Sequence, residues 1–169
     1  TESNLGDGRF ALDDFLAAGG RFGIGSDSQV SIDPREELRT AEYTLRSWRE
    51  RRALAASSAS PHCGTRLYAA AATGGAQALG LRRGQFVTGA AADLVVLDTD
   101  RAAYAGVPDE ALLDAYVFAP RGADVRDVMV AGRWVLRERR HPAADAITRT
   151  YEDCVARLAR AAARTAVRS

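Results

Sequence analysis

A chain of 169 residues, 47% hydrophobic and 27% charged, has the composition of a globular protein and is long enough for one domain or parts of two. Its formal net charge of +1 leaves no field to recruit nucleic acid or an anionic membrane surface. No apolar run approaches the ~20 residues of a membrane span and no signal peptide opens the chain, so the expected setting is cytoplasmic.

The chain begins without Met, at Thr1, in a polar loop-like stretch ending Leu5-Gly6-Asp7-Gly8, as a piece of something longer would. Leu12, Phe15 and Leu16 then fall at i, i+3 and i+4 and predict a short amphipathic helix, closed by Gly19-Gly20. In the next stretch, Phe22 and Ile24 alternate with small residues, the pattern of a short half-buried strand. Gly25 stops it, and Ser26-Asp27-Ser28 leads toward a helix. Asp27 would thus sit just past the carboxyl end of a strand, the edge where (β/α)8 barrels keep catalytic and metal-binding side chains. Asp and Ser after a strand are also ordinary loop chemistry, and tethering is the competing role.

Asp33-Pro34-Arg35-Glu36 is a helix start, with Asp33 as N-cap, Pro34 at N1 and Glu36 at N3. Leu38, Ala41, Leu45 and Trp48 form its apolar stripe, and Arg39, Glu42, Arg46, Arg49 and Glu50 its wet face. After a small-residue loop, Thr65 is expected to cap a helix over residues 66–79. Gly74 and Gly75 inside it would each cost ~1 kcal/mol against Ala, which fits only close crowding against another element. Cys63 and Cys154 form no CxxC pair and read as reduced thiols.

The texture changes at Gly80. Leu94 to Leu97 is a continuous apolar run, expected as a strand buried on both faces. Val125 to Val130 and Trp134 to Arg139 predict two more strands, joined by a tight hairpin turn at Ala131-Gly132. Beyond Pro142 a long helix follows, with Ile147, Tyr151, Val155, Leu158 and Ala162 on its apolar face. Trp48 and Trp134 are expected in the core. A complete barrel takes ~250 residues, and only the first ~80 here have an α/β rhythm, so at most the last part of one is encoded.

Three stretches together resemble the amidohydrolase superfamily. Glu2-Ser3-Asn4-Leu5-Gly6-Asp7-Gly8 resembles the loop after barrel strand seven, and Gly23-Ile24-Gly25-Ser26-Asp27-Ser28 resembles strand eight with its metal-site aspartate. Gly84 through Asp98, with Val128 through Val135, resembles part of the superfamily's small β-sandwich. Within the superfamily the likeness is nearest to the formimidoylglutamate deiminase family, which hydrolyses N-formimino-L-glutamate to N-formyl-L-glutamate and ammonia in histidine degradation. Gly74-Gly75-Ala76-Gln77-Ala78-Leu79-Gly80 and Glu36-Glu37-Leu38-Arg39, followed by Glu42-Tyr43, carry that choice.

The resemblance implies an α/β fold in three parts: residues 1–80 as the end of the barrel, 81–142 as a β-sandwich portion, and 143–169 as a helix packing back on the barrel. It also implies one divalent metal, usually zinc, with Asp27 as both a ligand and the group that moves the proton. Glu2 and Asn4 would face the same edge as substrate-binding residues; Glu2 either hydrogen-bonds the substrate's amidine or serves a loop network. The partners implied are a small-molecule substrate, the upstream half of the same enzyme and a second copy in a homodimer. The pattern departs from the family in two ways. No His-x-His occurs, the only histidines being His62 and His141, neither after a barrel strand, and Gln29 stands where a His is expected. The rival readings are a purine- or triazine-type deaminase and a non-catalytic α+β module.

Overall fold

The computed structural model describes residues 2–28, 30–81, 84, 86–119 and 124–166. In chain order the elements are α1 (Glu2–Leu5), α2 (Leu12–Ala17), α3 (Pro34–Arg49), α4 (Cys63–Ala78), β1 (Leu94–Leu97), α5 (Leu112–Phe118), β2 (Val125–Val130), β3 (Arg133–Leu136) and α6 (Ala144–Ala166). Short 3-10 turns at Ala102–Tyr104 and Asp109–Ala111 lead into α5. Two compact units result: Thr1–Ala91 with Asp98–Asp124, and Ala92–Leu97 with Val125–Ser169.

The first unit is helical. Asp33 caps α3, its carboxylate accepting from Arg35 N at 2.9 Å with Pro34 in the first turn. Leu38 and Leu45 on α3, Leu12 of α2, Leu67 and Ala71 of α4, and Tyr116 and Val117 of α5 are buried, and α3 packs against each of the other three helices. Full burial of each such Leu or Val side chain stabilises by about 1.5–3 kcal/mol. The excursion 98–124 is closed by Asp98 N donating to Asp124 O at 2.8 Å. It is also pinned by charge: Arg35 Nη1 donates to the buried Asp124 carboxylate at 2.7 Å and forks onto Asp33, while Arg101 reaches Asp124 at 3.4 Å. Burial beside Asp124 pushes the Tyr104 phenol up to about 12.

Several expectations for this unit are corrected. The opening residues form a single helical turn, α1, instead of a loop. α4 starts at Cys63, two residues before Thr65, with His62 at the N-cap position. The cap there is supplied from α5: Asp114 accepts from Gly64 N and lies 2.6 Å from His62 Nδ1. Glu42 is off the wet face and 0% exposed. Its carboxylate accepts from Leu54 N, Ala55 N and Arg46 Nε at 2.8–3.0 Å, so both charge and lone pairs are satisfied inside. Trp48 is 37% exposed, its ring 3.6 Å and 3.9 Å from the Arg9 and Arg49 guanidinium carbons. The indole serves as a cation–π platform, not as core.

Phe22 to Gly25 has no regular secondary structure and belongs to no strand. A strand is defined by a neighbour's ladder, and none pairs with this segment among the described residues. Its backbone lies instead against α4, where the crowding expected of the glycine pair occurs. A β-carbon on Gly74 would meet Phe22 O at 2.0 Å, and one on Gly23 would meet Gly75 Cα at 2.9 Å.

The second unit is a three-stranded antiparallel sheet in the order β1-β2-β3, with Leu94 opposite Met129 and Met129 opposite Trp134. Ala131 and Gly132 have φ of 49° and 77°, the two left-handed residues of a primed hairpin turn. Asp93 Oδ1 accepts from Ala131 N at 2.6 Å and Ala92 O from Gly132 N at 2.9 Å, tying the turn to β1. Two expectations change here. β1 is only half-covered, with Val95 45% exposed, and Trp134 is 42% exposed under Arg137. Asp127, held by Glu138 N at 2.8 Å and Arg126 Nε at 2.9 Å, has its carboxyl lowered by the backbone bond first and the guanidinium next. α6 is exposed at every position from 144 to 164. No helix among the described residues is long and apolar enough to cross a membrane.

Candidate active site

Asp27 follows the Phe22–Gly25 segment after Ser26, in a turn, with φ at 37°. This is the left-handed region, which Asp tolerates better than most side chains. The residue is exposed, and among the described residues its carboxylate makes no hydrogen bond or ion pair. It lines a cavity of ≈ 450 Å³ whose walls include Phe10, Phe22, Ile24, Glu37 and Thr44. Glu37, Thr40 and Thr44 recur at i, i+3 and i+7, so one polar stripe of α3 faces the cavity beside its buried leucines. That spacing is legible in the chain, but the apolar stripe next to it dominates the pattern.

Of the other site candidates, Asn4 comes to the Asp27 turn: its Nδ2 donates to Ser28 O at 3.2 Å. Glu2 opens α1, and its side chain lies outside the described residues, as does Gln29. Both histidines are engaged locally. His62 pairs with Asp114, and His141 Nδ1 accepts from Ala143 N at 3.1 Å ahead of α6. Cys63 is buried next to Glu42, and burial first, then that carboxylate, push its thiol up, away from nucleophilic use. Among the described residues, no three His, Cys, Asp or Glu side chains cluster to hold a metal ion. Chemically, the site offers a carboxylate that is uncommitted among the described residues, in a cavity wall: a hard oxygen donor for a divalent cation and an acceptor for a proton.

The sequence matches the Amidohydrolase family over residues 1–135, and the chain belongs to that family. It is 47% identical over 158 residues to the formimidoylglutamate deiminase of Pseudomonas aeruginosa, covering 94% of this chain and 35% of that protein. Its fold is similar to the crystal structure of an amidohydrolase from Brucella melitensis, with a TM-score of 0.82 and 38% identity over 93% of this chain and 34% of the other. An adenosine deaminase from Xanthomonas campestris solved with bound zinc is more distant, with a TM-score of 0.64 and 26% identity over 85% of this chain and 33% of that one. The chain thus spans about a third of the length of the relatives it matches.

Proposed function

We propose that this chain is the C-terminal portion of a zinc-dependent amidohydrolase that deiminates N-formimino-L-glutamate to N-formyl-L-glutamate and ammonia in histidine degradation. In this reading residues 1–80 are the end of a (β/α)8 barrel, residues 81–142 part of a β-sandwich, and residues 143–169 a helix packing back on the barrel. The Phe22–Gly25 segment then finds its ladder partners in the remaining barrel strands. The observation that carries the proposal is the uncommitted Asp27 carboxylate at the end of that segment, in a chain with 47% identity to a formimidoylglutamate deiminase.

The residues fit a divalent metal in part: Asp27 is a suitable oxygen ligand, and a catalytic zinc site takes three protein ligands, the others coming from the upstream half of the enzyme. The metal, when bound, lowers the pKa of its water toward ~7. Asp27 accepts the water's proton as the water oxygen bonds to the formimino carbon, then delivers it to the nitrogen as the C–N bond breaks and ammonia leaves. Both water protons end on that nitrogen, and its oxygen becomes the formyl oxygen. Glu2 is proposed to contact the substrate's amidine. We extend the reading to a cytoplasmic homodimer.

The test is ammonia release by the full-length protein, with zinc measured on the same samples. We expect turnover of N-formimino-L-glutamate and none of adenosine. Turnover of adenosine alone would move the protein to the purine-deaminase branch, and a protein with neither stoichiometric zinc nor ammonia release would be a non-catalytic module.

A further inference from the structure

We infer that Asn4 is a positioning residue that fixes the Asp27 turn, with its side-chain amide spent on the protein instead of the substrate. The inference rests on the proposed role of Asp27. The Asp27 turn is held at two ends. Behind it, Phe22 and Gly23 press backbone to backbone on Gly74 and Gly75 of α4. Ahead of it, Asn4 in the turn of α1, 24 residues away in sequence, donates Nδ2 to the carbonyl of Ser28, the residue after Asp27. Asp27 itself has a left-handed φ of 37° and no side-chain partner among the described residues to hold it there. Its carboxylate direction is therefore set by its two neighbouring peptides. The Asn4 bond holds the carbonyl of Ser28, one peptide beyond the pair that flanks Asp27, and so anchors the chain on the far side of the turn. Orientation of a metal ligand by such an outer contact is worth ~10–100-fold in metal affinity or activity.

The experiment uses the full-length enzyme with Asn4→Ala and Asn4→Asp, reading kcat, KM, thermal midpoint and zinc affinity by chelator competition on metal-stripped protein. A positioning role predicts that kcat and zinc affinity each fall ~10–100-fold, with KM and the thermal midpoint near wild type. Asn4→Asp should do at least as much damage as Asn4→Ala, because a carboxylate matches the shape but presents an acceptor to the Ser28 carbonyl. A raised KM with unchanged kcat would make Asn4 a substrate contact and overturn the inference. So would a wild-type zinc affinity in both variants, or a benign Asn4→Asp. Asp27→Asn run alongside separates the two levels. If it leaves zinc affinity and turnover intact, the Asp27 assignment has failed and this inference with it. If it cuts turnover by orders of magnitude while the Asn4 variants are silent, only the inference has failed.

Discussion

Gly74 of α4 and Phe22 approach so closely that a β-carbon on the glycine would lie 2.0 Å from the Phe22 carbonyl oxygen. The clash would be with backbone, which cannot swing aside like a long side chain. Gly74→Ala should therefore destabilise by about 1–3 kcal/mol through overpacking, despite the ~1 kcal/mol that Ala gains in helix propensity. Gly75 is the control, since its added β-carbon would meet only Gly23 Cα at 3.8 Å, an ordinary contact. Gly75→Ala should be neutral or stabilising by up to ~1 kcal/mol. Urea unfolding of the two variants checks the pair, and equal midpoints would refute the close approach.

Glu42 should be among the most sensitive positions in the chain. Glu42→Ala leaves Leu54 N and Ala55 N without their acceptor and Arg46 without its partner. Loss of one side of such a buried network costs about 3–5 kcal/mol. The expected result is a chain that no longer unfolds cooperatively, read by circular dichroism during heating.

These two positions mark what local sequence does and does not reveal. The glycine pair was readable because two poor helix formers in one helix demand a reason, and the α3 cap and the Ala131-Gly132 turn follow from equally local chemistry. The burial of Glu42 was not, because its acceptors' partners lie 12 and 13 residues further on and nothing in an i, i+4 pattern announces them. The Phe22–Gly25 segment has strand alternation but lacks a ladder, since pairing is a property of two segments. Asn4 had the right neighbourhood for a site residue, yet only coordinates could show its amide turned toward Ser28 O.

The Asp33–Arg35 pair gives a pH dependence of definite sign. The hydrogen bond from the Arg35 guanidinium holds the Asp33 carboxyl below its ordinary value. A depressed folded value means that the unfolded chain binds the proton more readily. The stabilisation is thus complete above the unfolded value of about 3.9 and is lost as pH falls through the lower folded one. Asp33→Asn keeps a capping side chain but removes the charge. The wild-type advantage over this variant should be constant from pH 6 to about 5 and shrink below about pH 4. An advantage that grows on acidification would contradict the assignment.

At the hairpin, Ala131 carries a φ of 49° that a side chain with a β-carbon disfavours by roughly 1–2 kcal/mol. Ala131→Gly and Ala131→Asn should each raise stability by up to about 1 kcal/mol. The bond from the residue 131 backbone N to Asp93 is untouched by either change. Asp93→Ala should undo the gain, which thermal melts of the single and double variants would show.

The final prediction concerns residues 1–169 by themselves: they should bind no stoichiometric zinc and release no ammonia from N-formimino-L-glutamate. No three metal-ligating side chains come together among the described residues, and both histidines are tied to local partners. One carboxylate cannot substitute for a site of three protein ligands. On the proposed reading, a chain that spans about a third of its relatives' length leaves most of the substrate's walls to the rest of the enzyme, and without them the reacting groups are not held in line. In the full-length protein, Asp27→Asn retains an oxygen donor and the shape but loses the charge and the proton acceptor. Turnover should drop by several orders of magnitude while zinc content falls only in part. Zinc-dependent turnover by residues 1–169 alone would overturn the fragment reading, and near-normal turnover in full-length Asp27→Asn would remove Asp27 from the chemistry.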